Sequence, residues 1–134
     1  MNSVNLVGRL ARDPDLRYTS NGTPVCSFVL AVRNPFRLDD DGNSTADFIN
    51  CVVWQKLAEM FAEGHQKGDL IAVSGRLQTR SYENNDGETV WVTEVNVENL
   101  HFIKPKDDNG NGNGNRNRNK NGNGKRSANR KNRR

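Results

Sequence analysis

Between residues 1 and 106 apolar side chains recur mostly at every second position, the period of a half-buried β-strand. Val4-Asn5-Leu6-Val7-Gly8-Arg9-Leu10 is rich in strand formers, and Gly8 suits a bulge or sharp bend. Arg12-Asp13-Pro14-Asp15 and Ser20-Asn21-Gly22 carry turn chemistry. Residues 23–33 read as a strand covered on both sides. Cys26, Phe28, Leu30 and Val32 share one face, and Val25, Ser27, Val29 and Ala31 share the other. Residues 34–46 read as a solvated loop. Residues 48–54 then form a strand with unlike faces: Ile49, Cys51 and Val53 on one, Phe48, Asn50, Val52 and Trp54 on the other.

One segment changes period. From Gln55, Leu57, Met60, Phe61 and Gly64 fall at spacings of three and four, which predicts a helix of two to three turns with Gly64 as its C-terminal cap. A strand over 70–78 follows. Residues 79–91 then read as a long hairpin with Asn84-Asn85-Asp86-Gly87 at its tip. Segments 90–97 and 100–103 complete the strands, and Pro105 marks a boundary. Five or so bent strands with one short helix predict an all-β fold: a five-stranded Greek-key barrel of the oligonucleotide/oligosaccharide-binding (OB) type. An SH3-like barrel or a sandwich shares this pattern.

Composition divides the chain in two. Residues 107–134 hold ten Asn, five Gly and nine Lys or Arg against two Asp, a net charge of +7. Residues 1–106 hold 11 basic and 14 acidic residues, a net charge of −3, so the overall +4 describes neither part. The tail has a single hydrophobic residue, Ala128, too little apolar surface to offset ordering entropy, and it is expected to be disordered. Domain organisation is therefore a binding domain over 1–106 and a basic Asn/Gly-rich tail over 107–134. The apolar runs are too short for a transmembrane helix or a signal-peptide core.

No catalytic or metal-binding constellation stands out. His65 and His101 are isolated, and Cys26 and Cys51 sit among apolar strand residues as buried free thiols. Asp39-Asp40-Asp41 lacks the alternating ligands of a calcium loop and reads as a solvated charge run. What remains is aromatics interleaved with cations, the composition that holds single-stranded nucleic acid by stacking and charge. The candidate stacking residues are Phe36, Phe48, Trp54 and Tyr82. The candidate phosphate contacts are Arg9, Arg33, Lys56, Lys67, Arg76 and Arg80, with Arg37 nearby. A competing reading has Phe48 and Trp54 packing a second core face.

Several blocks resemble one family. Asn5-Leu6-Val7-Gly8-Arg9-Leu10, Asp13-Pro14-Asp15-Leu16-Arg17-Tyr18 and Asn21-Gly22 are similar to the opening of bacterial single-stranded DNA-binding proteins. So are Ala46-Asp47-Phe48-Ile49-Asn50-Cys51-Val52-Val53-Trp54, Gly75-Arg76-Leu77-Gln78-Thr79-Arg80-Ser81-Tyr82 and Thr93-Glu94-Val95. The resemblance implies an OB barrel that assembles as a homotetramer and wraps single-stranded DNA with little sequence preference. It implies base stacking at Phe36, Phe48, Trp54 and Tyr82, and backbone contacts at Lys56, Lys67 and Arg80. It implies neither cofactor nor catalysis, and a cytoplasmic setting: the bacterial nucleoid, or a host cytoplasm for a phage-encoded version.

One departure stands out. Typical members close on an acidic tip, with Asp-Asp, Pro and a terminal Phe, that recruits replication and repair proteins. This chain closes on Arg126-Ser127-Ala128-Asn129-Arg130-Lys131-Asn132-Arg133-Arg134, so any such partner is expected to be met by another route. The expected function is protection of single-stranded DNA in replication, recombination and repair. The alternatives are a mediator that anneals or condenses nucleic acid and docks partner proteins, and an RNA-binding barrel.

Overall fold

The structure is a computed structural model, and it describes residues 1–106. The expectation of disorder for 107–134 lies outside the described residues. In chain order the elements are β1 (Val4–Leu10), β2 (Asp15–Tyr18), β3 (Pro24–Leu38), β4 (Ser44–Trp54), α1 (Gln55–Gly64), β5 (Leu70–Glu83) and β6 (Thr89–Lys104). The sheet runs β1-β5-β6-β4-β3-β2, and a further β1–β3 pairing closes the first five into a barrel. Every pairing is antiparallel except β4–β6. This is the expected five-stranded OB barrel, with β2 added outside β3.

Strand periodicity decides what lies inside. Leu10, Cys26, Phe28, Leu30, Cys51, Val53, Ile71, Val73, Val95 and Val97 point inward and are buried. From the helix, Ala58 and Phe61 close one end, and the rings of Phe28 and Phe61 lie 4.5 Å apart between centroids. Each of the Val, Leu, Ile and Phe side chains among them contributes roughly 1.5–3 kcal/mol on burial. Burial raises the thiols of Cys26 to about 11 and Cys51 to about 12, so both are neutral packing groups at physiological pH.

Gly8 is not a bulge, because β1 stays in register with β5 through the Gly8–Ile71 pair. It is needed for close approach: a Cβ there would lie 2.5 Å from the Ala31 carbonyl oxygen. Five further expectations are corrected. Asp15–Tyr18 is a strand paired with Pro24–Ser27, whereas the turn residues on either side had hidden its alternation. Residues 34–46 are largely strand, since β3 and β4 run on as a projecting hairpin whose tip is 39–43. There the Asp39 carboxylate caps the turn, accepting the backbone N–H groups of Asp41 and Asn43 at 2.9 Å each.

Segments 90–97 and 100–103 form one strand whose register shifts between Val97 and Asn99, where Glu98 is extra. Finally, Met60 is exposed, whereas the expected Leu57 and Phe61 do pack inward and Ala58 and Ala62 join them. Gly64 ends the helix without a left-handed cap, and the next residue, His65, is already extended. The loop from α1 into β5 is held by Asp69, which is buried. Its carboxylate accepts the backbone N–H of Gln66 at 3.1 Å and of Lys106 at 3.2 Å.

Candidate nucleic-acid interface

Cross-strand partners share a face of a sheet, so the register fixes which side chains meet. On β3–β4 the outward pairs include Val25–Trp54, Val29–Asn50, Ala31–Phe48 and Arg33–Ala46. On β5–β6 the pairs Arg76–Asn96, Gln78–Glu94, Arg80–Val92 and Tyr82–Val90 occupy the side that continues this surface. The parallel Val52–Asn96 pairing joins the two halves. One outer face therefore carries Phe48, Trp54, Tyr82, Arg33, Arg76 and Arg80.

Exposure separates the two readings of the aromatics. Phe48 is 67% exposed, Tyr82 49% and Trp54 39%. They do not form a second core within this chain. Phe36 is 96% exposed and belongs to the β3–β4 hairpin rather than to a loop. It stands where the register shifts between Asn34 and Leu38. Pro35 has no N–H to give the ladder, which suits a bulge. The Asn34 side chain holds this kink, accepting the Phe36 N–H at 2.9 Å and donating to Asp47 at 3.1 Å.

Trp54 ends β4, and Gln55 after it has φ 64°, the left-handed region that a non-glycine side chain enters at a cost of about 1 kcal/mol. This reversal starts the helix directly behind the indole.

The cations fall into three settings. Arg37, Arg76 and Arg80 are ion-paired, with Asp47 at 2.9 Å, Glu98 at 3.2 Å and Glu94 at 3.0 Å. The Glu94 carboxylate is buried, and its Oε2 also accepts Gln78 Nε2 at 2.9 Å, while Asn96 Nδ2 donates to Gln78 Oε1 at 3.1 Å. That network stiffens the base of the β5–β6 arm. Arg9 follows Ala31 in the row that starts at Phe48. Its Nη1 donates to the Gly68 carbonyl at 2.8 Å, beside a cavity of about 570 Å³ shared with Lys67 and Lys106. Lys56 lies apart on the helix, in a cleft with Tyr18, Glu59 and Met60. There the Tyr18 hydroxyl donates to Glu59 at 2.8 Å, which raises the phenol's pKa.

Two surface residues had no sequence signal as parts of a site. Trp91 is 71% exposed on the opposite face of the arm from Tyr82, because it pairs with Ser81. Arg12, within a turn by its sequence, lines a groove of about 260 Å³ with Asn50, Arg80 and Tyr82. Charge alone does not distinguish it from other surface arginines.

Among the described residues no group of three or more His, Cys, Asp or Glu side chains could hold a metal ion. No helix among them is long and apolar enough to cross a membrane.

Comparison with known proteins agrees with this architecture. The chain matches the single-strand binding protein family over residues 1–103. It is 56% identical over 106 residues to a single-stranded DNA-binding protein of Halalkalibacterium halodurans, covering 79% of this chain and 62% of that one. It is 54% identical over 109 residues to single-stranded DNA-binding protein 2 of Listeria monocytogenes, covering 81% and 68%. It is 52% identical over 110 residues to single-stranded DNA-binding protein A of Bacillus subtilis, covering 82% and 63%. The chain thus spans about three fifths to two thirds of these relatives' lengths. By fold, by the order of its sequence blocks and by these matches, the chain belongs to the single-strand binding protein family.

Proposed function

We propose that the barrel over 1–106 binds and protects single-stranded DNA with little sequence preference, during replication, recombination and repair. The observation that carries this is the outward face on which Phe48, Trp54 and Tyr82 stand exposed beside Arg33, Arg76 and Arg80. Every base has a π-face, so stacking holds a strand without reading its sequence, and cations along the face neutralise the backbone. Phe36 extends the same chemistry onto the β3–β4 hairpin, and Arg9 and Lys67 extend it past Ala31. The protein acts as a non-catalytic binder without cofactor, in the bacterial cytoplasm at the nucleoid. It works as a homotetramer, which the open edge of β1 supports: β1 pairs with β3 only through Arg9 and Leu10, leaving one edge of Val4–Gly8 outside that ladder.

A Phe48→Ala/Trp54→Ala double variant tests the stacking assignment by equilibrium titration with polythymidine. Each stacked base contributes on the order of 1–3 kcal/mol, so affinity should fall by roughly 30-fold or more. Unchanged affinity would remove the aromatic face from the binding site.

A second reading is favoured by the +7 of residues 107–134: a mediator that anneals or condenses nucleic acid through its tail while the barrel docks partner proteins. Under that reading, deletion of 107–134 abolishes strand annealing.

A further inference from the structure

The arginines around the aromatic face are not equivalent. Arg37, Arg76 and Arg80 each stand opposite a carboxylate, so a phosphate approaching any of them also meets a negative charge within a few ångströms. Arg80 is the most committed, because its partner Glu94 is buried and also holds Gln78. Arg12 is different. It is exposed, it lies between β1 and β2, and among the described residues no hydrogen bond or ion pair occupies its guanidinium.

Its position gives that charge a use. The groove it lines runs between the β3–β4 face, represented by Ser27 and Asn50, and the β5–β6 arm, represented by Tyr82, Arg80 and Glu94. An exposed ring on the arm and an unoccupied guanidinium across the groove are the two groups a nucleotide requires: a surface for its base and a cation for its phosphate. The ring and Arg12 approach from different elements, so a nucleotide between them would bridge the arm to the barrel. Guanidinium also presents several N–H donors at once to phosphate oxygens, without having to release a carboxylate first.

We propose that Arg12 is a phosphate-binding residue of this groove, holding the backbone phosphate of the nucleotide whose base stacks on Tyr82. Arg12 carries a larger share of the electrostatic binding than Arg76, which is already paired. The inference rests on the reading of the outer face as a single-stranded DNA surface.

Salt dependence of polythymidine binding, measured on the full chain, tests it. Single-strand affinity falls with salt by a slope of about −0.7 per neutralised phosphate. Arg12→Gln should flatten the slope by about 0.7. Arg12→Lys should keep the wild-type slope, and Arg76→Gln should change it by clearly less than Arg12→Gln. Arg12 is exposed, so thermal unfolding of the variants should match wild type and separate binding from folding. A wild-type slope in Arg12→Gln overturns the assignment while leaving the DNA-binding reading intact. Equal flattening by Arg76→Gln overturns the claim that existing ion pairs set the share. Absence of polythymidine binding by the wild-type chain overturns both readings together.

Discussion

At the scale of single residues, the barrel depends on places where nothing larger fits. Gly8 is one, since its missing Cβ is what lets β1 cross β3 at Ala31. Backbone stands in the way there, so the strain of a larger residue cannot be relieved by turning a side chain. Gly8→Ala should therefore destabilise the fold by about 1–3 kcal/mol, measured by denaturant unfolding. An unchanged midpoint would mean that β1 and β3 can separate freely at this point. Gly8 was legible from sequence as a special position, but as a bulge or bend; that it serves close packing depends on Ala31, which is distant in the chain.

At the scale of elements, legibility followed the number of alternations available. β1 and β4 showed their strand character plainly, and so did the outward pair Phe48 and Trp54, whereas the helix was placed but one member of its stripe, Met60, faces outward. β2 has only four residues, enclosed by turn chemistry, and its signal was lost. The outer part of the β3–β4 hairpin was missed for another reason. It projects beyond the core, so Phe36, Arg37 and Leu38 are all exposed and no apolar alternation survives. The ion pairs on the arm were invisible as well, because Arg80 and Glu94 lie 14 residues apart in sequence and meet only once β5 and β6 are in register.

The open edge of β1 yields a prediction at this scale. An unpaired strand edge is a template for another strand, and oligomerisation is one way to cover it. Mass measurement in solution should return four chains per particle, with or without bound polythymidine. A one-chain mass would show that the edge is left uncovered.

At the scale of the whole molecule, the two parts of the chain carry opposite charge. Under the proposed function a barrel of −3 binds a polyanion by local arrangement of cations and rings, and the +7 of residues 107–134 would add attraction by charge. Removing the tail should therefore flatten the salt dependence of binding by about 3 if half of its nine cations neutralise phosphates. Equal slopes for full-length and truncated protein would exclude the tail from the DNA contact. The Trp54/Phe48 variant should behave in the opposite manner, losing affinity while retaining most of the salt slope.

Asp69 has a consequence for how such a chain diversifies. Its buried carboxylate fastens the backbone at Lys106, the last described residue, to the loop that follows the helix. Whatever segment is joined there inherits a fixed point of departure. The junction is a natural grafting point, at which acidic and basic extensions can be exchanged on one unchanged DNA-binding unit.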